Sequence, residues 1–497
     1  IYAHAFSNCW SLNEISVPQG TVIKSYAFSD CASLKNVKKT KKKKAAARIS
    51  AKATAVEDES MRIDAFAFSG CESLETLDLS NVTSIGQGAF SGCTSLDNIV
   101  IPETITTIED TAFFNCESLK EIEIPNSVTE ISDGAFQGCT SIEEIVIPES
   151  VTELGDQVYS GCTSVQSVSI PETVETIGDG LFANCTSLSE AELPENAQYI
   201  GNAMFSGCTS LETVEIPENV TDIGNGTFLG CTGLKSIEIP DEVEKIGSSV
   251  FLGCTSLEGF SINDRITEIG DYAFSDCTSL KSVEYSDNVT EIGNGAFANC
   301  TSLESVTLPE AIETLGLNAF ESCTSLKNVE FAGNSTGTIK DEAFAGCTAL
   351  GNVYIPENAV SVSNTAFSSC SSLMSVTCYS TADVASEIAS SGVNCNVIYH
   401  PTAINLDKTE ATLNRGEKKK LNVSFVPMNA ENQNVIWLSD NDEVATVSSD
   451  GTVTAVGSGT ATITVISEDG AFEASCNVHC IIPVESVTID NKIDQLY

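Results

Sequence analysis

Cysteine recurs at a fixed interval. Cys93, Cys116, Cys139, Cys162, Cys185, Cys208, Cys231, Cys254, Cys277, Cys300 and Cys323 lie 23 residues apart. Cys9, Cys31, Cys71, Cys347 and Cys370 extend the row with small slips and one large gap, which makes sixteen units from residue 1 to about 378. Such a period means stacked supersecondary units, none of which buries its apolar face alone. At 497 residues the chain also exceeds an ordinary single core, and a one-dimensional array resolves that excess.

The unit "CTSLETVEIPENVTDIGNGTF", Cys208 to Phe228, is representative. Its first half alternates Leu211, Val214 and Ile216 with Thr213 and Glu215, the period of a half-buried strand. Pro217, lacking an N–H, ends ladder pairing. In the second half Val220, Ile223, Phe228 and Cys231 point inward, and Gly224 and Gly226 allow a tight return. The expected coil is one short parallel strand plus an irregular or helical return arm. Fifteen of the 21 phenylalanines, from Phe6 to Phe367, hold one position of the repeat, so their rings are expected to form a continuous core spine.

This unit resembles the BspA-like (Treponema-type) leucine-rich repeats, which read approximately C-x-x-L-x-x-I-x-I-P-x-x-V-x-x-I-G-x-x-A-F. The likeness covers about three quarters of the chain. Tyr159 replaces the phenylalanine, and Ile142 and Val165 the leucine. The Ile-Pro pair is lost at "SINDRI", "EYSDNV" and "FAGNST", where slight bulges that leave the stack intact are expected. The resemblance implies a leucine-rich repeat solenoid, often an adhesin that contacts host matrix proteins or other cells.

The array fades into "ADVASEIASSGVNCNVIY", and residues 379–400 read as a helix-like segment and a strand that cap it. Short alternating strands between Asn, Asp and Gly turns follow, an all-β sandwich layout. Through "LNRGEKKKL", the tryptophan of "VIWLSDN" and "VATVSSDGTVTAVGSGTATITV", residues 401–482 resemble the bacterial immunoglobulin-like group 2 domain, which recurs in adhesin stalks. "PVESVTID" echoes "PTAINLD", so 483–497 read as the start of a second copy. The first residue falls inside a repeat, and the natural protein is expected to extend past both ends.

Residues 38–62 interrupt the array with a basic stretch. Val37 and Ile63 are 26 residues apart where a regular unit has nine, so seventeen residues are inserted. Ala46, Ile49, Ala53 and Val56 have helical spacing, yet lysines lead and Glu57, Asp58 and Glu59 trail, opposing the helix dipole. A solvated loop is expected, against a docked helix or a polyanion-binding arm.

Sixty-nine acidic residues against 24 basic ones give a net charge of −45, which repels nucleic acid and anionic membranes and favours cationic partners. No run of eighteen apolar residues marks a membrane span. The outward strand positions Glu123, Glu192, Glu215, Glu238, Glu284, Glu330 and Tyr354 form a stripe bordered by Glu121, Glu144 and Glu190. It reads either as a solvated surface or as a binding face for a cationic protein segment or weakly held divalent cations.

No constellation of catalytic residues stands out. His4, His400 and His479 are scattered, which leaves no metal pair and no base beside a nucleophile. No cofactor is expected. The ladder cysteines read as buried free thiols, because equivalent residues about 4.8 Å apart with parallel Cβ vectors do not suit a disulfide. Cys378 and Cys395 are the one pair suspected of bridging, and Cys476 and Cys480 read as core. The expected function is non-catalytic: binding of a protein or glycan ligand on host or neighbouring cells by an extracellular, surface-borne or secreted bacterial protein. The alternatives are a targeting portion of a larger exported enzyme and a cell-envelope spacer.

Overall fold

The computed structural model describes residues 1–40, 60–332, 337–355, 361–378, 396–399, 401–468, 470–483 and 486–488. They fall into two compact units, Ile1–Gly351 with Thr365–Ser372, and Asn352–Asn364 with Leu373–Tyr497.

In the first unit the regular coils bury most of the residues that the repeat marks as inward: in the representative coil Leu211, Val214, Ile216, Val220, Ile223, Phe228 and Cys231. The outward strand segments pair in parallel and in register, Asn98–Val100 with Glu121–Glu123, Ser167–Ser169 with Glu190–Glu192, and Ser305–Leu308 with Asn328–Phe331. A second ladder runs through the arms, for example Thr107–Ile108, Glu130–Ile131, Glu153–Leu154 and Thr176–Ile177.

Residues 144–146, 213–216 and 236–239 keep the alternating burial but belong to no strand, so the expected ladder is incomplete, even in the representative coil. All three segments lie where neighbouring spine rings stand 5.6 to 6.0 Å apart, between Phe136 and Phe251. Ring spacing does not by itself decide the pairing, because Ser167–Ser169 and Glu190–Glu192 pair in register beside the widest gap, 6.0 Å between Phe182 and Phe205.

Among the described residues no helix occurs, so the return arms are irregular and not helical. The reason is conformational. In the arm after Ile108, Thr111 and Asn115 both have positive φ (51° and 54°), and two left-handed residues four apart cannot sit in one right-handed helix. Alternate amides there serve different partners. Ala112, Phe114 and Cys116 donate three residues back, whereas Thr111, Phe113 and Asn115 donate to Asp133, Ala135 and Gln137 of the next coil. The arm thus propagates as a ladder along the stack.

The aromatic spine is continuous from Phe6 to Phe367, each ring stacked on the next at 5.1 to 6.0 Å. At "SINDRI" and "EYSDNV" the stack is not merely unbroken: its spacing is at its tightest, 5.1 Å from Phe251 through Phe274, Phe297 and Phe320. There Phe260 and Tyr285 bring additional rings edge-on against Phe274 and Phe297.

The basic stretch is shorter at both ends than 38–62. Asn36–Thr40 is a strand paired with Glu14–Pro18, and Met61–Ile63 is a strand paired with Val22–Ile23. Lys39 occupies the inward position of the usual isoleucine, its side chain 9% exposed, 3.4 Å from Asp78. The loop-or-helix question concerns residues 41–59 and lies outside the described residues.

In the second unit Asn352–Ile355, Ser375–Cys378 and Asn396–Tyr399 pair in parallel, so the expected strand before residue 400 is present. The helix-like segment before it and Cys395 lie outside the described residues. The immunoglobulin-like part has a four-stranded sheet, Glu410–Asn414, Glu473–Ile481, Gly459–Ser467 and Val435–Ser439 in spatial order. Beside it are the three-stranded sheet of Lys418–Lys420, Thr452–Ala455 and Ala445–Val447 and the pair Ala403–Leu406 with Val423–Val426. Cys476 and Cys480 sit as free thiols in its core, with Leu413, Ile463 and Val478.

Candidate binding face

The outward positions are set by the strand pleat: with Ile122, Ala191 and Val283 buried, their neighbours must face away. Glu121, Glu123, Glu144, Glu190, Glu192, Glu215, Glu238, Glu284 and Glu330 are all exposed on the first unit. Tyr354 is exposed on a strand of the second unit. The stripe is not uniform. Coils 121–123 and 190–192 carry carboxylates in both outward rows, coil 144–146 in the bordering row alone and coil 167–169 in neither, whereas from coil 213 onward the bordering row holds Thr213, Ser236, Gly259, Ser282 and Ser305.

Counter-charge is distributed unevenly too. Glu212 meets Lys235 at 2.7 Å, Glu258 meets Lys281 at 2.8 Å and Glu304 meets Lys327 at 2.9 Å, all between equivalent positions of neighbouring coils. The Lys281 and Lys327 ammonium groups hold the Glu258 and Glu304 carboxyls below their ordinary range. These pairs are exposed and add little stability, but they neutralise one flank. Between Arg62 and Lys235, by contrast, Lys120 is the single basic residue against 28 acidic ones. Within that stretch an open depression of about 400 Å³ is lined by Glu144, Val146, Ser167, Ser169, Glu190 and Glu192. It borders residues 144–146, where the ladder is interrupted, and Val146 is 61% exposed. The site therefore combines the carboxylates of Glu144, Glu190 and Glu192, two hydroxyls and an apolar side chain on an extended surface.

Two further rows tie the coils together behind this face. From Cys31 to Cys370 each thiol donates to the carbonyl of the spine aromatic one coil back, as in Cys139 to Phe113 at 3.1 Å and Cys185 to Tyr159 at 3.2 Å. That carbonyl already accepts a backbone N–H, for instance Cys116 N–H to Phe113. The ladder thiols are free and, apart from half-exposed Cys9, buried, and burial raises Cys93, Cys185, Cys231 and Cys277 to about 12. Sequence reasoning placed them in the core but missed their role as donors.

The second row escaped sequence reasoning entirely. Asp133, Asp156, Asp179, Asn202, Asn225, Asp271 and Asn294 each accept, through Oδ1, the backbone N–H of the equivalent residue of the next coil at 2.6 to 2.9 Å. The signal was present as Asp or Asn recurring one residue after the Gly or Ser that follows the arm's inward aliphatic.

Among the described residues no cluster of His, Cys, Asp or Glu is arranged to hold a metal ion, and no helix is long and apolar enough to cross a membrane.

Comparison with known proteins agrees with this architecture. A family model described as a BspA type leucine-rich repeat region matches residues 1–49, 61–185, 152–281 and 267–396, and one described as a bacterial Ig-like domain, group 2, matches 401–478. A leucine-rich repeat protein from Bacteroides ovatus of known structure is 28% identical, with 64% of this chain and 88% of that chain covered and a TM-score of 0.46. A Clostridium acetobutylicum protein is 34% identical over 96 residues, 19% of this chain and 10% of that protein. An alpha-L-arabinofuranosidase from Bifidobacterium longum is 40% identical over 83 residues, 16% of this chain and 8% of that enzyme. The chain thus spans a tenth or less of the length of these two relatives. On the extent of the repeat match, the chain belongs to the BspA-type leucine-rich repeat family and carries a group 2 bacterial Ig-like domain near its C-terminus.

Proposed function

We propose that this chain is a non-catalytic binding module of a bacterial surface or secreted protein, and that coils 121–192 recognise a lysine- or arginine-rich segment of a protein partner. The observation that carries the reading is the coincidence of the doubled carboxylate rows, the depression and the stretch with one basic residue. A cationic segment laid across the strands would meet carboxylates at coils 121–123, 144–146 and 190–192, hydroxyls at Ser167 and Ser169 and an apolar contact at Val146, with long-range attraction speeding encounter. Neither matched family model describes a catalytic domain, which supports the non-enzymatic reading. A glycan ligand, or a divalent cation bridging neighbouring carboxylates, would use the same face.

The test is a binding screen of the whole chain against matrix proteins, cell-surface glycans and lysine-rich peptides, repeated with Glu144, Glu190 and Glu192 changed to Gln. Binding that weakens with salt and in the Gln variant is expected. Binding indifferent to both would refute the acidic-face mechanism. The similarity to part of an arabinofuranosidase favours a second reading, in which these modules position the catalytic portion of a larger enzyme. A hydrolase domain in the complete reading frame would establish that reading.

A further inference from the structure

The array contains four Asx–Gly steps: Asp133–Gly134, Asp179–Gly180, Asn225–Gly226 and Asn294–Gly295. Such steps are the most prone in any chain to spontaneous succinimide formation, because glycine leaves its backbone nitrogen unhindered. The glycine nitrogen attacks the Asx Cγ and forms a C–N bond. Ammonia leaves from Asn, or water from Asp. Water then opens the ring at either carbonyl, giving aspartate or isoaspartate.

All four steps are held in one two-point clamp by a single residue of the next coil. Ser248 donates its N–H to Asn225 Oδ1 at 2.8 Å and accepts the Gly226 N–H at 3.0 Å. Leu317 does the same for Asn294 and Gly295 at 2.9 and 2.8 Å. Asp156 grips Asp133 and Gly134 at 2.8 and 2.8 Å, and Asn202 grips Asp179 and Gly180 at 2.8 and 2.7 Å. Each glycine is in the left-handed region, φ 59° to 65°, which fixes the peptide that would have to rotate. The attacking nitrogen has its proton committed to a carbonyl, and the Cγ it would attack is pinned by the bond to its own Oδ1.

We propose that these four positions are latent modification sites, silent while the coils are stacked and released coil by coil when the stack opens. Isoaspartate adds a methylene to the backbone and displaces the side-chain oxygen, so a coil modified while open cannot re-form its clamp. The chemistry then converts a reversible opening into a permanent one, and isoaspartate becomes a record of which coils have opened.

The experiment incubates the whole chain, folded and in unfolding urea, in mildly alkaline buffer beside a synthetic peptide spanning 219–230. Peptide mapping by mass spectrometry then reads deamidation at Asn225 and Asn294. Folded chain should react at least about a hundredfold more slowly than the peptide, since reaction waits on local opening, and urea should restore the peptide's rate. Phe251→Ala, which removes the spine ring beside the Ser248 clamp, should raise the Asn225 rate above that of Asn294. A folded rate close to the peptide's overturns the proposal whatever the variant does, and equal rates at the two sites in the variant overturn release coil by coil.

Discussion

Replacing Tyr159 with phenylalanine should stabilise the array. Tyr159 takes the place that phenylalanine holds in every other coil; its ring is stacked between Phe136 at 5.6 Å and Phe182 at 5.9 Å, and it is fully buried. Its hydroxyl has no hydrogen-bond partner, and burial pushes its pKa well up. A buried polar group left unpaired costs about 1–3 kcal/mol. Removing the oxygen leaves a void of roughly 10 Å³, which at ~24 cal/mol per Å³ offsets only about 0.2 kcal/mol. Tyr159→Phe should therefore gain about 1 kcal/mol, concentrated in the coils around 136–182, because a solenoid couples mainly to nearest neighbours. Native-state hydrogen exchange of the arm amides of those coils, alongside a urea midpoint, measures the gain. Phe182→Tyr serves as the reciprocal change and should lose a similar amount. A Tyr159→Phe variant less stable than the parent by about 0.5 kcal/mol or more would show that the hydroxyl is bonded, and the reasoning would fail.

Alkaline pH should unzip the array. Buried thiols raised from 9.0 to about 12 keep their protons in the folded state, whereas unfolded ones release them near 9.0. Their contribution is thus present below pH 9.0 and lost as pH rises to about 12, and circular dichroism that stays flat across this window would contradict it. Cys185→Ala deletes the donor to the Tyr159 carbonyl and should cost about 1–2 kcal/mol from bond and volume together, whereas Cys185→Ser should recover part of it; equal losses in denaturant melts would deny the thiol a donor role. In the Ig-like part, bonds from the Ser448 hydroxyl and from the hydroxyl and N–H of Thr452 lower Asp450 to about 2. The stability it adds is present above its ordinary 3.8 and lost as pH falls through about 2, and Asp450→Asn should flatten that acid limb.

Much of this structure was legible because one rule repeats. The period located the inward side chains of the regular coils, and the strand pleat then put Glu121 to Glu330 outside without further information. What the sequence did not disclose depends on register between coils or on backbone handedness. The left-handed arm positions are held by Thr111, Gln157, Ala203 and Tyr272 as well as by glycine, so composition carries little trace of them. The missing ladder at 144–146 and 213–216 is not encoded by alternation, which both segments keep. The clamp on Asn225 required knowing that Ser248 lies alongside it, a fact that emerges only when the coils are stacked.

Length variation in the array is confined to one connector, the stretch between the inward position before the proline and the first inward aliphatic of the arm. It spans seven residues from Ile216 to Ile223, six from Val17 to Ile23 and from Leu79 to Ile85, eight from Phe331 to Ile339, and 24 from Lys39 to Ile63. Everywhere else a single added residue would throw the sulfur, aromatic and Asx rows out of step together. The connector is therefore a splice point that lies between the rows, where foreign sequence can enter without disturbing any of them. A display peptide placed after Glu218 would emerge beside the acidic face with both neighbouring coils still in register.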